Sequence, residues 1–490
     1  MSAPEAQGMD SWVLAEMVDQ IVAEGGIDSV TVVRNGQVVL ATPVYPFPDG
    51  TPHALQSVTK SVVATLIGIV IDRGLLEGVD VPVVEVLAEA APDSIDALKA
   101  SMTVEDLLTM QSGLECRDSS RYRWEGLDEW QTGEDWAANI LAIPMAAEPG
   151  TRFEYCNGVS YLLSAVISQS TGMTAAEFAT ETLFGPLGIS EVIWPSSPEG
   201  ISVGYAMLEL LPTDMAKIGQ LYLQGGTWDG EQVVSSQWID AATTDHHPNA
   251  TPGYGYQWWV ESTEWIVARG FGGQYIFLIP SLDTVVVFTA GLPMNRANLP
   301  HRLVTKYILA ATQPDPLPPD DEGNARLEEA VAAARQGPAP TVPYLPAAAT
   351  SVNGVRYESD PNEWGHQWFR LEFDADMAHL TFARDFAYMT DDPRSSTILA
   401  MLGYQDLDEP IDVAIGLDGR YIINESLGLT TGWRGEWTTE TTFEAEAQSI
   451  GRQAHERFTY RFTFDKDTAH VRVGEVTPGV VQESTAQSST

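Results

Sequence analysis

Residues 61–71, Ser-Val-Val-Ala-Thr-Leu-Ile-Gly-Ile-Val-Ile, are apolar almost all the way round a helical projection. A helix of that kind belongs inside a domain rather than on its surface. The run at 62–71 is too short to span a bilayer, so the chain itself must bury it. At 490 residues it can do so within two or three domains. The same helix is opened by Ser57 and Lys60. Spacing of i, i+3 puts both side chains on one face of the first turn, within touching distance. A lysine amine there can take or share the proton of a serine hydroxyl and activate a weak nucleophile. The helix N-terminus adds a positive potential that favours developing negative charge. Ser57 could instead be a simple helix cap. Lys60, however, stands where the helix dipole repels a cation and where a structural first turn favours Asp or Glu.

Charge narrows the classes of partner. The chain carries a formal net charge of −42 and only five lysines (Lys60, Lys99, Lys217, Lys306, Lys466). That balance argues against nucleic acid and anionic membrane. The first ten residues have neither a basic start nor an apolar centre, so the sequence as written reads as cytoplasmic, or as exported if a leader has been removed. The two cysteines, Cys116 and Cys156, are no metal set, and their spacing leaves free thiols and a single disulfide both open.

Along the chain, apolar positions at 12, 13, 17, 18, 21 and 22 predict a helix over 10–24. Val30–Arg34 and Gln37–Leu40 flank Asn35-Gly36, the preferred pair for a two-residue hairpin turn. A short helix capped at Ser101 or Thr103 ends near Gly113. The stretch 117–150 is irregular and aromatic (Tyr122, Trp124, Trp130, Trp136), as expected of a segment that covers a core or lines a pocket. Apolar helices follow at 161–167 and 213–224. Strands are predicted at 265–269, 274–279 and 284–288, and a helix around 300–312. Two strands near the start and three near the end, with helices between, predict an α/β (α+β) domain over 10–312. Its antiparallel five-stranded sheet is flanked by helices and interrupted by a helical insertion. Residues 313–348 read as a Pro/Ala/Asp-rich linker with a helical piece at 326–335. Residues 349–475 read as an all-β meander or lipocalin-like barrel, and 476–490 as a disordered tail.

Four elements in order carry a resemblance: Ser57-Val58-Thr59-Lys60, Leu107–Leu114, Pro149–Asn157 and Gly270-Phe271-Gly272-Gly273. They resemble the penicillin-recognising serine hydrolases, a family of class C β-lactamases, D-alanyl-D-alanine carboxypeptidases, β-lactamase-fold esterases and 6-aminohexanoate-dimer hydrolase. The resemblance covers roughly residues 10–312. It implies that Ser57 is acylated, that Lys60 hydrogen-bonds it and keeps Tyr155 polarised, and that Tyr155 shuttles the proton. Asn157 would bond substrate and Lys60. The amides of Ser57 and Phe271 would form the oxyanion hole, with Gly270, Gly272 and Gly273 letting backbone approach the substrate. Taken with that placement, the positions of Cys116 and Cys156 beside two of these elements imply that the cysteines lie near one another.

One departure matters. β-Lactam-processing relatives carry Lys or His at the position of Ala268, and Arg269 should point to the opposite face of its strand. The expected activity is therefore hydrolysis of a small-molecule ester or amide. A D-amino-acid peptidase or weak β-lactamase is the same-class alternative. A non-catalytic binder, with a hydrophobic or carbohydrate ligand in the C-terminal barrel, is the other. No cofactor and no metal are expected: His246-His247 has no spaced partner, Gly270-x-Gly272-Gly273 lies between strands, and no Gly-x-Ser-x-Gly elbow occurs. The oligomeric state is left open.

Overall fold

The computed structural model describes the chain apart from residues 93, 120–125, 248–251, 263–264, 363–364, 385–408, 427, 452–456, 476–480 and 490. Tyr122 and Trp124 therefore lie outside the described residues. The first sheet contains β1 (Ile27–Arg34), β2 (Gln37–Pro43), β3 (Gly253–Tyr254), β4 (Trp259–Ser262), β5 (Trp265–Gly270), β6 (Gln274–Ile279) and β7 (Thr284–Ala290). Their spatial order is β2-β1-β7-β6-β5-β4-β3, antiparallel throughout. The five strands expected from the sequence are present, and two short strands extend the sheet beyond β5. The pairing of β1 with β7 joins the two ends of this region.

Strand alternation builds two cores. Ile276, Leu278, Val285 and Val287 face one side, where they meet Val62, Leu66 and Ile69 of helix α2 (Val58–Asp72) and Leu162, Val166 of helix α3 (Asn157–Thr171). Tyr275, Phe277, Val286 and Phe288 face the other side and meet Leu14, Val18 and Ile21 of helix α1 (Ser11–Glu24). With both faces covered, β6 and β7 read as continuous apolar runs rather than alternating ones. Helix α2 is buried from Val58 to Val70, as its all-round apolar sequence requires. Each fully buried Val, Leu or Ile there contributes about 1.5–3 kcal/mol. Trp12 and Val22 of α1, by contrast, are exposed.

The stretch 313–348 does more than connect. Helix α4 (Asp321–Arg335) buries Leu327, Ala330 and Ala334 in the second core, against α1. A Pro- and Ala-rich composition reads as a spacer until tertiary contacts claim its apolar stripe.

The C-terminal strands are β8 (Arg356–Ser359), β9 (His366–Phe373), β10 (Met377–Arg384), β11 (Ile411–Gly416), β12 (Ile422–Ser426), β13 (Leu429–Trp437), β14 (Thr442–Ser449), β15 (Arg457–Asp465), β16 (Thr468–Glu475) and β17 (Val481–Ser488). They run β11-β10-β9-β8-β17-β16-β15-β14-β13-β12, and a bridge from Gly416 to Arg434 closes the barrel between β11 and β13. Residues 481–488 correct the expectation of a disordered tail. They pair with β8 and with β16, and Ala486 is fully buried. This polar segment is held by main-chain bonds on both sides, which side-chain composition does not disclose. Among the described residues, the barrel interior, where the alternative reading would put a hydrophobic or carbohydrate ligand, holds Phe369, Phe443, Phe462 and Phe464. A cavity of about 20 Å³ lies beside His366, Trp368 and Tyr460. That is room for at most about one water molecule.

Candidate active site

Ser57 sits where a short strand, His53–Ala54, turns into α2. Gln56, just before it, holds φ at +48°, a left-handed conformation that is costly for a residue with a side chain. Ser57 itself is already helical (φ −68°, ψ −6°), and its hydroxyl makes no capping bond. The amides of Val58, Thr59 and Lys60 are satisfied by the carbonyls of Leu55, Gln56 and Ser57. The hydroxyl is therefore released from the structural duty that the sequence left open. It turns to Lys60, whose Nζ lies 3.0 Å away.

Lys60 is 1% exposed. Its amine also donates to Asn157 Oδ1 at 2.8 Å and to the Tyr205 carbonyl at 2.7 Å. Burial lowers its pKa to about 7, with the Asp118 carboxylate pulling the other way. The rings of Tyr155 and Tyr205 lie 5.1 and 5.7 Å from the same nitrogen.

Tyr155 arrives from an irregular segment before α3. The Glu154 amide bonds the Met110 carbonyl at 2.9 Å, and a disulfide joins Cys156 to Cys116. The Ser57 side chain lies near enough to the phenol to lower its pKa, and the ring stacks on Trp259 with centroids 5.8 Å apart. Burial pushes its pKa up to about 12, against the lowering effects of Ser57 and Arg269. Ser57, Lys60, Tyr155 and Asn157 are thus brought together.

Gly270 ends β5 beside the nucleophile loop. A Cβ on it would lie 2.4 Å from the Leu55 carbonyl oxygen, so only glycine permits this approach. Phe271, Gly272 and Gly273 line the same pocket as Ser57. This pocket has a volume of about 530 Å³, and Phe153, Trp259, Phe271, Leu292 and Met294 supply its apolar walls.

Arg269 requires a finer account than strand alternation gives. Ala268 is buried in the core that α2 helps to form. The Arg269 side chain nevertheless curls over the Trp259 ring at 4.5 Å and lines the pocket, with Glu261 at 3.9 Å. A long side chain on the outer face of the last strand residues can still reach round to the mouth. In the aromatic segment, Trp130 and Trp136 pack against Tyr161 in the core rather than lining the pocket.

Sequence reasoning missed Asp118, Tyr205 and Trp259. Tyr205 acts on Lys60 through a main-chain oxygen, which any residue carries. Asp118 lies in an irregular segment with no periodicity to mark it.

A family model described as Beta-lactamase matches residues 14–304. The 6-aminohexanoate-dimer hydrolase of Paenarthrobacter ureafaciens is 26% identical over 303 residues, covering 56% of this chain and 75% of that protein. Esterase EstB of Burkholderia gladioli is 28% identical over 170 residues, 33% of this chain and 43% of the esterase. The solved structure of EstCE1, a hydrolase with promiscuous acyltransferase activity, shares the fold with a TM-score of 0.50 at 17% identity. That match covers 61% of this chain and 99% of EstCE1.

Proposed function

This chain belongs to the Beta-lactamase family, and on that premise we propose that it is a serine hydrolase, cleaving an ester or amide through an acyl-enzyme on Ser57. One observation carries the reading: the Ser57 hydroxyl lies 3.0 Å from a buried amine, on the wall of a pocket that Tyr155 also lines. The amine and the phenol differ in proton affinity, Lys60 at about 7 and Tyr155 at about 12. That split supports Lys60 as the base and Tyr155 as the acid. Nearer neutral pH than for a free lysine, the lowered pKa favours an uncharged Lys60 amine. Its two hydrogens serve Asn157 Oδ1 and the Tyr205 carbonyl, and the lone pair faces Ser57 Oγ.

In acylation, Lys60 takes the serine proton as Oγ bonds to the carbonyl carbon and the C=O electron pair moves onto oxygen. Amides of Ser57 and Phe271 receive that oxyanion. Tyr155, a neutral phenol, gives its proton to the leaving oxygen or nitrogen as the bond to carbon breaks, and is reprotonated by the neighbouring Lys60, which holds the proton taken from Ser57. Water then attacks the acyl carbon, its proton passes back along the same groups, and the Ser57 ester bond breaks.

A pocket of about 530 Å³ with mainly apolar walls suits an acyl group of small to medium size. The relatives named as a 6-aminohexanoate-dimer hydrolase and an esterase support the amide and ester classes. Arg269 at the pocket wall favours a second reading within the same chemistry, in which a substrate carboxylate is met there, as in a D-amino-acid peptidase or weak β-lactamase. Turnover of p-nitrophenyl butyrate by the wild type and its loss in Ser57→Ala is the expected result. Equal turnover by both removes Ser57 as nucleophile. Nitrocefin turnover matching the ester rate moves the assignment to the second reading.

A further inference from the structure

Asp118 touches neither the pocket nor Ser57, yet it organises the groups that do. It is fully buried. Its Oδ1 accepts from the Asn157 amide at 2.7 Å, and its Oδ2 accepts from the Gly158 amide at 2.8 Å and from Trp130 Nε1 at 3.1 Å. These two amides open α3, where a carboxylate is favoured by the helix dipole. The Asp118 main-chain oxygen accepts from Asn157 Nδ2 at 2.6 Å. With Nδ2 committed, Asn157 can offer Lys60 only its Oδ1, which is the contact observed. Two residues earlier, Cys116 is bonded to Cys156, the residue between Tyr155 and Asn157. The sulfurs of Cys116 and Cys156 and a carboxylate oxygen of Asp118 lie within 4.8 Å of one another. The 116–118 segment thus grips the 155–158 segment at two points, one covalent and one through hydrogen bonds from the Asn157 and Gly158 amides to the Asp118 carboxylate.

Building on the serine-hydrolase reading, we infer that Asp118 is a positioning residue, whose carboxylate holds Asn157 and Lys60 in working register, and that the Cys116–Cys156 disulfide is the covalent half of the same clasp. Among the described residues, the charged and titratable groups facing Lys60 are Tyr155, Tyr205 and Asp118. Of these, Asp118 stabilises the ammonium form. Removing its charge lowers the proton affinity of Lys60, so more of the amine is free at a given pH. The acid limb of kcat/KM then moves to lower pH, while the loosened Asn157 lowers the rate.

The test is the pH profile of p-nitrophenyl butyrate hydrolysis for the full-length wild type, Asp118→Asn, Asp118→Glu and Cys116→Ala/Cys156→Ala. Asp118→Asn is expected to shift the acid limb down by about one pH unit or more and to lower kcat/KM by about tenfold to a hundredfold. Asp118→Glu, which keeps the charge on a longer arm, is expected to lose rate with the limb in place. The cysteine pair variant is expected to lose rate with an unshifted limb, because it retains Asp118. A limb unmoved in a folded Asp118→Asn protein leaves Asp118 with a structural role only and overturns the inference. If Asp118→Asn does not fold, a downward shift in Asp118→Glu overturns it equally. A wild type without Ser57-dependent turnover instead sinks the parent reading, so the two failures are distinguishable.

Discussion

The chain buries two lysines, and the start of α2 and the short helix Ala97–Ser101 treat them differently. Lys60 and Lys99 are 1% and 5% exposed. Burial lowers the pKa of both, and an aspartate opposes the shift in each case. Lys99 Nζ donates to the Leu141 carbonyl at 2.5 Å and the Ile143 carbonyl at 2.7 Å. It cross-links two segments and meets no group that can react. Lys60 spends two bonds in the same way, on Asn157 and Tyr205, but its third partner is a hydroxyl at the wall of an open pocket. A buried amine alone is therefore no sign of catalysis. The sign is a buried amine with one valence left for a nucleophile that substrate can reach.

Paired substitutions break or sharpen this contrast. Lys60→Met is expected to cut kcat/KM for p-nitrophenyl butyrate by about a thousandfold or more. Lys99→Met should leave it within about threefold and instead lower unfolding free energy by about 1–3 kcal/mol, because two carbonyls lose their donor. Urea titration beside the kinetics reads both. Similar kinetic losses in the two variants would erase the distinction. Tyr155→Phe comes next, with an expected loss of about a hundredfold in kcat at unchanged stability. The loss should be smaller for p-nitrophenyl esters, whose leaving group needs no proton, than for the matching anilides. Among the site substitutions, the smallest kinetic effect, a loss below that of Tyr155→Phe, belongs to Cys116→Ala/Cys156→Ala. Its main readout is stability, lower by about 3–4 kcal/mol for a bridge spanning 40 residues.

Much of the site was legible because it is local. Ser57 and Lys60 are three residues apart on a helix, and helical geometry turns that spacing into contact. The strands at 265–269, 274–279 and 284–288 announced themselves through apolar runs bounded by glycine, proline and aspartate. What stayed hidden is tertiary. Asp118 meets Asn157 from 39 residues away, and Tyr205 reaches Lys60 from 145 residues away through a carbonyl. Strand β17 is polar along its length and exists because β8 and β16 offer it ladders on both sides. Arg269 followed the alternation rule at its Cα, while its length carried the charge elsewhere. In each case local pattern placed the backbone, and only the assembled neighbours decided what the side chain meets.

The claim that Lys60 is the base for Ser57 is tested most directly by the rate of covalent labelling with a fluorophosphonate, followed by intact mass from pH 5 to 9 and mapped to its peptide. The account predicts a single adduct on Ser57, absent in Ser57→Ala, whose formation rate rises with pH through a midpoint near 7, where Lys60 gives up its proton. Labelling at another residue, or a Ser57 rate that is flat with pH or rises only above 9, would contradict it.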